Sequence, residues 1–196
     1  MACKFNIIAW IILFSFQNAF ANDEEVKLFE NVFSYLGDSN WKMSKKELLE
    51  YKGKESDSYI LWGIWYGGQK NPEHNKILSV NFLEKAVANG DMDAQAMLIT
   101  LYTSKKHIEY VNFERGIQLA REIIPKYSEI IKAGRDTNGE KNKFLGKLYL
   151  SGIGVEKNVV TALNYYKAAA KLGNEKAKKA VVRVNAYIKT LEKLKN

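Results

Sequence analysis

Phe144-Leu145-Gly146-Lys147-Leu148-Tyr149, followed by Gly152-Ile153-Gly154-Val155 and then Tyr165-Tyr166-Lys167-Ala168-Ala169-Ala170-Lys171-Leu172-Gly173-Asn174, is the stretch from which the fold can be read. Phe144, Leu145, Leu148 and Tyr149 recur at helical spacing and form one apolar stripe. Gly146 omits a side chain where a neighbouring helix must come close. Gly152 and Gly154 break that helix. In the second helix Val160, Leu163, Tyr166 and Ala170 mark the inward face, and Ala168 and Ala169 allow close approach. Gly173 stops it in the position of a left-handed cap, and Asn174 can cap the next helix. The stretch spells helix, loop, antiparallel helix and tight turn.

The same spelling occurs 83 residues earlier. Trp62-Gly63-Ile64-Trp65-Tyr66 falls on Leu145-Gly146-Lys147-Leu148-Tyr149, and without a gap Phe82 falls on Tyr165, Ala86 on Ala169, Gly90 on Gly173 and Ala94 on Ala177. Register held over about thirty residues marks an internal repeat. Gly90 and Asp91 take the stop-and-start positions of Gly173 and Asn174. A weaker middle copy fits between them, with Leu98-Ile99-Thr100-Leu101-Tyr102 as its first helix and Phe113 to Ile124 as the partner; Ile99 replaces its glycine.

These residues resemble the Sel1-like repeat family, a relative of the tetratricopeptide repeats, with its Leu-Gly-x-Leu-Tyr helix, Gly-x-Gly-Val loop and Tyr-x-x-Ala-Ala-x-x-Gly-Asn/Asp helix end. The last copy carries nearly all of this pattern, whereas the first departs in its loop, where Gly67, Gly68 and Pro72 stand. The resemblance covers residues 57–180. It implies an all-α fold, a right-handed α/α superhelical solenoid of helix-turn-helix repeats. The segment from Pro125 to Asn142 exceeds the family spacing and ends in Asp136-Thr137-Asn138-Gly139, so irregular stacking is expected there.

Composition agrees with a folded helical chain. Of 196 residues, 46% are apolar and 27% charged, which argues against a disordered or polytopic membrane chain, and two prolines leave helical runs uninterrupted. Residues 22–56 read as N-terminal capping helices: Asp23 to Leu36 with Val26, Phe29, Phe33 and Leu36 on one side, closed by Gly37, then a capping box at Ser44-Lys45-Lys46-Glu47. Behind the repeats, Glu175 to Leu194 reads as a long helix whose apolar positions are Ala177, Ala180, Val181, Val184, Tyr187, Ile188, Leu191 and Leu194. Its end, residues 181–196, is a basic C-terminal helix. Terminal helices of this kind cover the open ends of a solenoid.

Residues 1–21 read as an export signal. Lys4 supplies the positive start, Ile7 to Phe16 the apolar run, and Ala19-Phe20-Ala21 the small residues for cleavage. The run is shorter than the roughly 20 residues a bilayer span needs, and acidic Asp23, Glu24 and Glu25 follow it, which disfavours the competing reading as an uncleaved anchor. Cleavage before Asn22 would remove Cys3, the single cysteine, and lower the formal net charge of +8 by one. The mature chain would then have no thiol for a disulfide, a metal or nucleophilic catalysis. The expected location is the periplasm of a Gram-negative bacterium.

No catalytic array emerges. His74 and His107 stand alone in loops and read as ordinary surface residues, so neither a metal nor a cofactor is expected. A Gly-x-Ser-x-Gly elbow is missing, and Gly152-Ile153-Gly154 lacks the third glycine and the lysine-serine pair of a phosphate loop. Asp91 and Asp93 sit at a helix start, where capping explains them better than acid-base chemistry. Lys176, Lys178, Lys179, Arg183, Lys189, Lys193 and Lys195 stand against Glu175 and Glu192 in the final helix. They read first as a solvated face; contact with a membrane is the weaker reading, and nucleic acid is not expected for an exported chain. Trp62 and Trp65 align with Leu145 and Leu148 and so belong to the core stripe.

A solenoid can vary the exposed side of its first helices without disturbing the stack. The positions there that differ between copies are Tyr59, Ile64, Thr100, Asn142 and Lys147, the candidate partner-binding residues. The family resemblance implies adaptor, host-interaction or immunity roles, and among exported members neutralisation of a cognate toxic effector, notably phospholipases delivered by a type VI secretion system. A non-enzymatic protein that binds an acidic secreted effector is the reading these features favour. A scaffold for envelope or virulence complexes is the second. A hydrolase using carboxylates such as Asp91 or Glu114 is the third.

Overall fold

The computed structural model describes residues 23–52, 54–104 and 112–194. The expected signal segment, His107 and Lys195 lie outside them. Among the described residues all regular structure is helical, in nine helices. They fall into two units, one up to Leu98 and one from Ile99 onward.

The first unit holds α1 (Asp23–Gly37), α2 (Trp41–Glu50), α3 (Glu55–Gly67), α4 (Lys76–Ala88) and the start of α5 (Met92–Tyr102). The inward face of α1 is Leu28, Phe29 and Val32, not the expected stripe, of which only Phe29 is buried. α1 packs on α2, whose buried apolar residue is Leu48, and the side chain of Asn31 donates to Glu47 at 3.0 Å. Glu47 is thereby committed between helices, and the expected capping box does not form. Asn40 caps α2 one turn earlier, accepting from the Met43 N–H at 3.2 Å, while Ser44 lies inside the helix and donates to the Trp41 carbonyl at 3.1 Å. The Trp65 indole N–H donates to the same carbonyl at 3.2 Å and joins α2 to α3.

α3 and α4 form the first repeat. A Cβ at Gly63 would lie 2.7 Å from Leu83, so the missing side chain sets how near the helices come. The Ser79 hydroxyl uses that proximity, donating to the Gly63 carbonyl at 2.6 Å. Trp65 is fully buried, while Trp62 is half-buried and stacks on Tyr66 and Phe82. Gly90, with φ +87°, ends the turn, and Asp91 accepts the Asp93 and Ala94 N–H groups at 2.9 Å each.

The second unit continues through α6 (Phe113–Lys132), α7 (Glu140–Ser151), α8 (Val159–Lys171) and α9 (Glu175–Lys193). The α7–α8 pair repeats α3–α4 closely. A Cβ at Gly146 would meet the Tyr166 ring at 3.0 Å, Tyr149 stacks on Tyr165 as Tyr66 does on Phe82, and Gly173 has φ +84°. Gly152 and Gly154, with φ of +70° and +73°, end α7 as the sequence predicts. Val160 is not on the inward face, being 65% exposed; Val159, one turn before Ala162 and Leu163, packs there instead. In the middle copy a glycine does the spacing from the other helix, because a Cβ at Gly116 would meet Thr103 at 2.8 Å.

The long segment after Pro125 is built rather than loose. α6 runs through Pro125 to Lys132, with Ile123 and Tyr127 buried on either side of it. Asp136 is 3% exposed and accepts from the N–H groups of Lys141 (3.1 Å) and Asn142 (2.8 Å) and from the Asn142 side-chain amide (2.7 Å). It therefore caps α7 from outside the helix. Gly139 (φ +70°) lies against the end of α8, where a Cβ would be 2.7 Å from the Ala169 carbonyl oxygen. Asn174 completes the joint by donating to the Asn138 carbonyl at 3.2 Å and to Glu140 at 2.7 Å.

Candidate functional site

Within the second unit, α7 turns Glu140, Lys143, Phe144 and Lys147 to one side, and these fall at the spacing of a single helical face. α9 offers Lys176, Ala180 and Arg183, again on one face. Tyr166 of α8 and Thr100 of α5 close a groove of about 410 Å³ between them. The groove is basic. Its carboxylate, Glu140, is already taken, since Lys143 pairs with it and the Asn174 amide donates to it. Lys147, Lys176 and Arg183 have no carboxylate partner among the described residues. Lys147 instead donates to the Thr100 hydroxyl at 3.1 Å.

Burial lowers the Lys147 pKa, and the neighbouring Lys143 charge adds to the effect. Burial raises the Tyr166 pKa, with the Arg183 guanidinium opposing it. Desolvated, mutually repelling cations gain free energy when an anion arrives. Phe144, edge-on to Tyr127 with ring centres 5.8 Å apart, and Tyr166 add aromatic surface to the charge. This combination of cations and aromatic surface can bind an anion attached to an apolar group.

The five candidate residues separate. Thr100 and Lys147 meet in this groove. Tyr59 and Ile64 belong to the first unit, both half-buried, with Tyr59 near Phe82 and under the Lys85 ammonium at 5.2 Å. Asn142 is corrected: it is 4% exposed and its amide is spent on Asp136, so it holds α7 together rather than facing outward. Lys176 and Arg183 were missed as site residues. Their seven-residue spacing was visible in the sequence, but their opposition to α7 is tertiary.

The remaining chemical candidates are dispersed. Asp91 is an N-cap, and Glu114 borders a shallow concavity lined by α6 alone. His74 is half-buried, its Nδ1 enclosed without a hydrogen-bond partner among the described residues, which corrects its reading as a plain surface residue. Among the described residues no three of His, Cys, Asp or Glu are grouped as a metal ion would require. No helix among them is long and apolar enough to cross a membrane.

Both repeat units carry the glycine contact, the aromatic stack and the capped turn, and the family model described as Sel1 repeat matches residues 56–91 and 143–174. The chain thus carries Sel1-like repeats over these two stretches. The two matches end on Asp91 and Asn174, the residues that cap α5 and α9. Sel1-like repeats are typical of protein-interaction scaffolds, and two such repeats suggest a protein-binding role. Over 111 residues it is 28% identical to DAP3-binding cell death enhancer 1 of Rattus norvegicus, and over 112 residues 29% identical to the Mus musculus protein of that name. Each match covers 57% of this chain and 19% of the relative.

Proposed function

We propose that this chain is an exported, non-enzymatic binding protein that holds and neutralises a cognate secreted effector, of the lipase or phospholipase class delivered by a type VI secretion system, in the periplasm of a Gram-negative bacterium. The observation that carries the binding part is the basic groove on α7 and α9, where Lys147, Lys176 and Arg183 stand without counter-charges among the described residues. Blocking a surface needs shape and charge rather than a nucleophile. The Lys4, apolar and Ala19-Phe20-Ala21 pattern supports export. A scaffold for envelope or virulence complexes is the second reading, favoured by relatives whose name describes them as binding another protein, DAP3.

The test expresses the full chain with a C-terminal tag in its native cell, isolates the envelope gently and identifies proteins recovered in stoichiometric amount. A single secreted enzyme whose activity falls on binding is the expected result. Envelope proteins with no toxic activity would replace the immunity role by the scaffold, and a chain recovered alone would overturn both.

A further inference from the structure

The proposal of protein binding leaves open what part of a partner the groove accepts. Lys176 and Arg183 lie seven residues apart on α9, about 10 Å along its axis at the helical rise. Ala180 lies between them on the same face, so nothing bulky blocks the gap. An extended chain covers about 10 Å in three residues, so carboxylates two to four residues apart reach both cations. Lys147 faces them from α7, already held on the Thr100 hydroxyl, and Phe144 and Tyr166 lie in the same concavity.

We infer that this groove receives an extended acidic segment of the partner protein, its carboxylates on Lys147, Lys176 and Arg183 and an apolar side chain between them against Phe144 and Tyr166. This rests on the protein-binding reading and assigns the face that performs it. A membrane fits less well, because a flat headgroup layer does not enter a concavity, and the strongly exposed apolar residues Val182 of α9 and Leu194 just after it are not among those that line it. Burial weakens the solvation of the Lys147 ammonium, so an incoming carboxylate restores stabilisation that its charge has lost.

The test measures fluorescence anisotropy of a labelled ten-residue peptide of alternating Glu and Ala with one central Tyr, against the same peptide with Gln for Glu, added to the full chain. The Glu peptide is expected to bind and the Gln peptide to bind at least about tenfold more weakly. Lys147→Glu with Arg183→Glu should weaken the Glu peptide by about tenfold or more, and Lys178→Glu with Lys179→Glu, an equal change in net charge, by less than about twofold. Lys147→Gln with Arg183→Gln is the milder pair should the reversal not fold. Equal binding of the two peptides, equal loss in both double variants, or tighter binding of phosphatidylglycerol vesicles or duplex DNA through Lys147 and Arg183 would overturn the assignment. If the doubly reversed chain still recovers its partner from the envelope, the groove is wrong and protein binding stands. If the unaltered chain recovers none, the proposed function itself fails.

Discussion

Asn75 and Asn158, 83 residues apart, do the same two things. Each side chain accepts the N–H three residues on, Leu78 at 3.1 Å and Thr161 at 2.9 Å, and each backbone N–H donates to the carbonyl of a tyrosine in the last turn of the preceding helix, Tyr66 at 3.0 Å and Tyr149 at 2.9 Å. The repeat is therefore a repeat of hydrogen bonds as well as of letters. Because the positions correspond, residues can be exchanged between copies. Phe82→Tyr, which installs the residue of position 165, should cost less than about 1 kcal/mol. Ser79→Ala, which installs the residue of position 162, should cost about 1 kcal/mol by losing the bond to Gly63. Urea unfolding of the full chain checks both.

Two glycines with the same φ of +70° should respond differently to alanine. At Gly152 a Cβ meets Lys157 at 3.3 Å, so Gly152→Ala costs mainly conformational strain, about 1 kcal/mol. At Gly139 it would also strike the Ala169 backbone at 2.7 Å. Gly139→Ala should therefore cost about 1–3 kcal/mol more. Equal urea midpoints for the two variants would contradict the docking of this turn onto α8.

Asn142→Ala should lower stability by about 1–3 kcal/mol, because it removes one donor from the buried Asp136 carboxylate. Partner affinity of the folded variant should not change. Asp136→Ala should cost more, since it also leaves the Lys141 and Asn142 N–H groups without their acceptor. A binding titration at a temperature well below unfolding separates stability from recognition.

Asp91 supplies a pH signature. Burial pushes its carboxyl up to about 6 from the ordinary 3.8; the Ala94 and Asp93 N–H groups oppose the rise, and the Asp93 and Glu25 charges add to it. The folded chain thus holds this proton more tightly than the unfolded chain does. Its stabilising contribution is present in full below about pH 3.8 and is lost as pH rises through about 6. Asp91→Asn keeps a capping oxygen and cannot titrate. Its advantage over the unaltered chain in urea midpoint should be greatest above pH 6.5 and shrink toward pH 4; a constant difference would contradict the assignment.

The fold was legible where spacing alone determines contact. Gly63, Gly146, Gly90 and Gly173 all do what their register predicts, because a close helix pair and a left-handed stop each demand a glycine locally. Faces whose orientation depends on a neighbour were less legible. Val160 and Val159 are equally apolar in sequence, and only the position of the core decides between them. Asn40 and Ser44 are both good N-caps, and the choice followed from Glu47 being drawn to Asn31. Part of the groove could be found by comparing copies, namely Thr100 and Lys147. The α9 wall could not, since which of its faces opposes α7 is decided by tertiary packing and not by spacing.

The most direct measurement places a photo-reactive p-benzoylphenylalanine at Thr100, on the groove, and in a second variant at Val182, 70% exposed on α9 and outside it. Each full-length variant is illuminated in the living cell and its adducts are resolved by mass. A single protein adduct from Thr100, with none from Val182, is the predicted result. An adduct from Val182 without one from Thr100, or no protein adduct from either, would contradict recognition through the α7–α9 groove.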